Sequence, residues 1–131
     1  MTSRGRCLVI EDDEDIAGLI EVILTTAGFD VRVEATGTEG LLAAASVELK
    51  LITLGLGLPD MDGREVAGLL RDVTKAPILM ITAFAATGDE LDGFSAGASA
   101  YLPKPFRPAQ LRDLVDQLCP REARLAGPAT S

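Results

Sequence analysis

Five short apolar runs of strand length, alternating with segments of helical periodicity, constrain this chain more than any other feature. The runs are Cys7-Leu8-Val9-Ile10, Phe29 to Val33, Leu51-Ile52-Thr53-Leu54, Ile78-Leu79-Met80-Ile81 and a short one around Ala100-Tyr101-Leu102. The first, third and fourth are continuously apolar, as parallel strands covered on both faces are. The second alternates apolar with polar residues, which predicts a strand exposed on one side or at an edge. The rhythm implies an α/β fold: a doubly wound, five-stranded parallel sheet with helices on both faces. For five strands the flavodoxin-like order 2-1-3-4-5 is expected.

The intervening segments carry helix signals. Ile16, Leu19, Ile20, Ile23 and Leu24 share one face, and Gly28 follows as a stop. Thr36 with Glu39 opens a second helix, Asp62 with Glu65 a third bearing Val66, Leu69 and Leu70, and Thr87 with Glu90 a fourth bearing Leu91 and Phe94. Pro108 suits the first turn of a fifth, striped by Leu111, Leu114, Val115 and Leu118. These stripes read as core. Residues 1–120 are expected to form one domain, and the aperiodic stretch 121–131 a flexible tail or the start of a linker.

The 131 residues, 47% of them hydrophobic, suit a single core. A net charge of -8 opposes direct contact with nucleic acid phosphates and with anionic membrane surfaces. No apolar run approaches the roughly 20 residues needed to span a bilayer, and the N-terminus has no signal-peptide pattern, so a cytoplasmic location is expected. The chain has no histidine, which removes Ser-His and Cys-His catalysis, histidine metal ligands and histidine phosphotransfer. Cys7 and Cys119, far apart in sequence and without a CxxC partner, are expected to be reduced, mostly buried thiols.

In open α/β sheets, ligands bind beyond the carboxyl ends of the strands. Glu11-Asp12-Asp13 follow the first run, Gly55 the third, Thr82 the fourth and Lys104 the fifth. Taken singly these are bland: a solvated helix start, a buried hydroxyl, a surface lysine. Together they place carboxylates, a hydroxyl and an ammonium around one shallow pocket. Adjacent carboxylates suit a hard divalent cation, and a lysine and a hydroxyl beside them suit a phosphoryl group.

The segments LVIEDDEDI, LGLGLPDMDG, PILMITAF and GASAYLPKPF, in this order and spacing, resemble the successive motifs of response-regulator receiver domains of two-component phosphorelays. The resemblance runs from about Cys7 to about Leu118. It implies an acidic pair at Glu11 and Asp12, with Asp12 a direct Mg²⁺ ligand and Gly57 contributing its backbone carbonyl. It implies phosphoryl contacts from Thr82 and Lys104, a switch formed by Thr82 and Tyr101, and a cis Lys104-Pro105 bond.

One position departs from the family. The phospho-accepting aspartate stands four residues before the loop proline, here Pro59, and that position is Gly55. Glycine has no side chain to phosphorylate, and Mg²⁺ loses a ligand, so weak binding or none is expected. Lys104 should then turn to Asp12 or Glu11. The expected role is a non-enzymatic signalling module, phosphorylation-incompetent or phosphorylation-independent. It would meet a histidine kinase or another regulator, with a possible homodimer through the face of the fourth helix, fifth strand and fifth helix. Two alternatives remain: an interaction scaffold that keeps the fold, and a Mg²⁺-dependent phosphatase-like enzyme using Asp13/Asp15 or Asp60/Asp62. Asp60 or Asp62 could also replace the missing acceptor.

Overall fold

A computed structural model of the chain describes residues 3–82 and 97–120. Its elements run β1 (Arg6–Ile10), α1 (Glu14–Thr26), β2 (Asp30–Glu34), α2 (Gly37–Ser46), β3 (Leu51–Leu54), α3 (Gly63–Arg71), β4 (Ile78–Thr82), β5 (Ala100–Pro103) and α4 (Pro108–Leu118). The fourth expected helix, around Thr87 to Phe94, and the stretch 121–131 lie outside the described residues. The five strands are parallel and ordered β2-β1-β3-β4-β5, as the alternation predicts.

Strand alternation divides the core. Leu8 and Ile10 of β1, Ile52 and Leu54 of β3 and Met80 of β4 face one way and pack on Ala43 and Ala44 of α2 and Val66 and Leu70 of α3. Cys7 and Val9, Leu51, and Leu79 and Ile81 face the other way, onto Ile20, Ile23 and Leu24 of α1 and Leu111 and Val115 of α4. Both faces of β1, β3 and β4 are therefore covered, which is why these strands are continuously apolar. Burying each large aliphatic side chain contributes about 1.5–3 kcal/mol. At the sheet edge, β2 keeps Asp30 and Arg32 exposed, matching its alternating sequence.

The helix starts follow local chemistry. Asp13 caps α1 by accepting from the backbone N–H groups of Asp15 (2.9 Å) and Ile16 (3.0 Å). Thr36 caps α2 through the Glu39 N–H at 3.1 Å. Asp62 caps α3, but its partner is the N–H of Arg64 (2.8 Å) rather than Glu65, because an aspartate at this position reaches two residues on. In α4, Pro108 occupies the first turn, and the Arg107 N–H donates to Gln110 Oε1 at 2.7 Å. α1 stops where Gly28 takes φ +108°, a left-handed backbone that glycine adopts without strain.

Candidate functional site

Strand pairing brings the polar strand ends together. The Gly55 N–H donates to the Ile10 carbonyl at 3.0 Å, setting the end of β3 beside Glu11. The Lys104 N–H donates to the Thr82 carbonyl at 2.8 Å, joining the ends of β4 and β5. Lys104-Pro105 is a cis peptide bond, as the resemblance implies.

The central interaction is an ion pair. Lys104 Nζ donates to Glu11 Oε1 at 3.1 Å, with the glutamate side chain 4% and the lysine 22% exposed. Glu11 Oε2 also accepts the Asp13 N–H at 3.2 Å. Burial pushes the Glu11 carboxyl above the usual glutamate range, the Asp13 N–H and the Lys104 ammonium hold it down, and the Asp12 side chain adds a smaller upward push. Of the two expected partners for Lys104, the fold selects Glu11, and Asp12 is exposed.

Glu11 leans over Gly55. A Cβ built on Gly55 would lie 2.9 Å from Glu11 Oε1, so the carboxylate occupies the space where a side chain at position 55 would begin. Gly63 closes the other side of the loop. A Cβ there would lie 2.3 Å from the Gly55 carbonyl oxygen, and the Gly63 N–H donates to the Leu56 carbonyl at 2.9 Å. Only glycine fits at 63 without moving backbone.

Thr82 is 2% exposed at the end of β4. Tyr101 is half-buried on β5 and packs against the core face covered by α2 and α3. Gly57 is exposed and forms an isolated antiparallel bridge with Asp62.

The other aspartates serve helix ends. Asp60 accepts from the Gly37 N–H (2.8 Å), the Thr38 N–H (2.9 Å) and the Thr38 hydroxyl (2.6 Å) at the start of α2. Chiefly the Thr38 hydroxyl, then these backbone donors, lower its pKa to about 2. Asp62 caps α3 and pairs with Arg64 at 3.1 Å, the side-chain contact that most lowers its pKa. Asp13 caps α1. Sequence reading missed the Asp60 role because its partners lie on another segment; the only signal was a carboxylate close behind a loop proline.

Comparison with known proteins agrees with this geometry. Residues 7–116 match the family described as the response regulator receiver domain. The chain is 39% identical over 110 residues to the DNA-binding response regulator MtrA of Mycobacterium tuberculosis, covering 84% of this chain and 48% of MtrA. It thus spans about half the length of the curated relatives it matches. A CheY-like receiver domain protein from Methanospirillum hungatei JF-1 superposes with a TM-score of 0.81 at 29% identity, over 86% of this chain and 91% of that one. The receiver domain of the sensor histidine kinase PA1611 from Pseudomonas aeruginosa PAO1, which carries a magnesium ion in its active-site cleft, gives 0.78 at 28% identity, over 88% and 98%. With the family match, the five-stranded order and the polar strand ends in agreement, the chain belongs to the response regulator receiver domain family.

Proposed function

We propose that this chain is a receiver module that relays a signal without an aspartyl phosphate, with Gly55 at the family's acceptor position. The observation that carries this reading is the Glu11–Lys104 pair, with the Glu11 carboxylate over Gly55. In an ordinary receiver, Lys104 and Thr82 would contact the phosphoryl group and Tyr101 would report it. Here Lys104 is engaged by a resident carboxylate, so its ammonium is already paired without a phosphoryl group.

The residues present suit Mg²⁺ poorly. Glu11 is committed to an ammonium, which leaves Asp12 as the available carboxylate of the acidic pair. With Gly57 offering one carbonyl and water completing the octahedron, the set has one fewer carboxylate than an aspartate at position 55 would give, so weak binding or none is expected. Neither substitute acceptor is well placed, because Asp60 and Asp62 are spent on the starts of α2 and α3. The same capping roles, with Asp13 on α1, leave no DxD carboxylate at a strand end for a phosphatase. The output passes by contact with a histidine kinase or another regulator, or between two copies through the surface of β5 and α4.

The test is intact-mass measurement after incubation with acetyl phosphate and Mg²⁺. No phosphoryl adduct is expected on this chain, and one is expected on Gly55→Asp. An adduct on the unaltered chain that maps to Asp60 or Asp62 overturns the reading.

A further inference from the structure

Cys7 and Cys119 begin and end the domain in sequence, yet the fold draws them to one place. Cys7 lies on β1 opposite Leu51 of β3 and belongs to the core face under α1 and α4. Cys119 caps the C-terminus of α4 and packs against the same cluster. Its thiol donates to the Lys50 carbonyl at 3.1 Å, and the Lys50 N–H donates to the Arg6 carbonyl at 2.8 Å. The Cys119 sulfur therefore rests on the peptide joining Lys50 to Leu51, beside the strand position that holds Cys7. Cys119 also bears on Cys7 electrostatically. Burial pushes Cys7 far above the usual thiol range, and the proximity of Cys119 raises it further.

Arg4 holds this corner together. Its guanidinium donates to the Ala27 carbonyl (3.1 Å), the Cys119 carbonyl (2.7 Å) and Asp116 (3.1 Å), and stacks over Phe29 at 4.4 Å. Cys7 is fully buried and Cys119 half-buried, so a solvent-borne oxidant reaches Cys119 first. Burial raises the Cys119 thiol above its usual range; Arg4 and Lys50 favour the thiolate and Asp116 opposes it.

We propose that Cys7 and Cys119 form a redox pair that closes to an intramolecular disulfide when a hydroperoxide oxidises Cys119. The Cys119 thiolate attacks one peroxide oxygen; the O–O bond breaks, leaving a Cys119 sulfenic acid and releasing hydroxide or alkoxide. The Cys7 sulfur then attacks the sulfenic sulfur, the S–O bond breaks, and the Cys7 proton leaves with the hydroxyl as water. Each sulfur gives up one electron to the peroxide bond. The product ties the start of β1 to the end of α4, closing nearly the whole domain into one loop. Such a long loop gains the most from cross-linking, because the unfolded chain loses the most freedom.

The experiment treats the reduced, native chain with hydrogen peroxide, then denatures it and alkylates it with N-ethylmaleimide. The expected product is a monomer two hydrogens lighter, carrying no maleimide, with a Cys7–Cys119 linked peptide on digestion. Its melting temperature should rise by about 5 °C or more, reversed by a thiol reductant. Cys119→Ser, altered only at the half-buried site, should show neither change. The proposal is overturned if both thiols still take maleimide, if Cys119 proceeds to sulfinic acid while Cys7 stays free, or if the disulfide forms only between two chains.

Discussion

The Glu11 carboxylate is buried beside one ammonium and already meets the Asp12 side chain, so a further negative charge placed next to it would add repulsion. Two like charges about 4 Å apart repel by roughly 4 kcal/mol at an effective dielectric near 20. A side chain at position 55 also begins 2.9 Å from Glu11 Oε1, so Gly55→Asp must swing Glu11 aside and compete for Lys104. Gly55→Asp is expected to melt below the unaltered chain without Mg²⁺, and to gain about 1.4 kcal/mol when Mg²⁺ reaches ten times its dissociation constant. Melting curves with and without Mg²⁺ check this; a Gly55→Asp curve indifferent to Mg²⁺ contradicts it. The pH dependence follows from burial. The folded-state pKa of Glu11 is raised, so between the ordinary glutamate value and the raised one the folded chain holds more protons than the unfolded. The contribution of Glu11 to stability is therefore fully present below that window and is lost as pH rises through it. Glu11→Gln cannot ionise, so its stability should fall less steeply over the same window. Urea denaturation at a series of pH values reads the two slopes, and equal slopes would refute the assignment.

At the scale of the element, β3 carries an internal cost. Thr53 is 1% exposed, and its hydroxyl has no hydrogen-bond partner among the described residues. A buried hydroxyl left unpaired costs about 1–3 kcal/mol. Valine has nearly the same shape and suits a covered parallel strand. Thr53→Val is expected to stabilise the fold by about 1 kcal/mol, read as a higher urea midpoint at unchanged slope. A lower midpoint would mean that the hydroxyl has a partner in solution. The acidic run Glu11-Asp12-Asp13 separates at this scale too: Glu11 turns inward to Lys104, Asp12 stays in water, and Asp13 caps α1. Three adjacent carboxylates thus do three jobs, because strand β1 ends and helix α1 begins across them.

For the whole molecule, the sheet is a partition between two cores. Ile20 of α1 and Leu70 of α3 sit in different clusters on opposite faces. Ile20→Val should cost about 0.5–1.5 kcal/mol and Leu70→Ala about 2–5 kcal/mol. The double variant should equal their sum within about 0.5 kcal/mol, since the residues share no partner. Denaturant titration of the four proteins closes the cycle, and a larger departure would mean that the sheet transmits strain between its faces.

By itself the sequence determined the five-stranded order, the two-faced burial of the central strands and the strand-end placement of Glu11, Gly55, Thr82 and Lys104. Those follow from hydrophobic period and from chain-crossing rules, which act along the backbone and are visible in order and spacing. Only the tertiary structure decided which carboxylate Lys104 takes, that Asp60 caps α2 from another loop, and that Cys7 and Cys119 share a corner. Each of these depends on side-chain direction and on distance between segments remote in the chain. Periodicity says which face a residue joins, whereas the partner it meets there is set by how the faces pack.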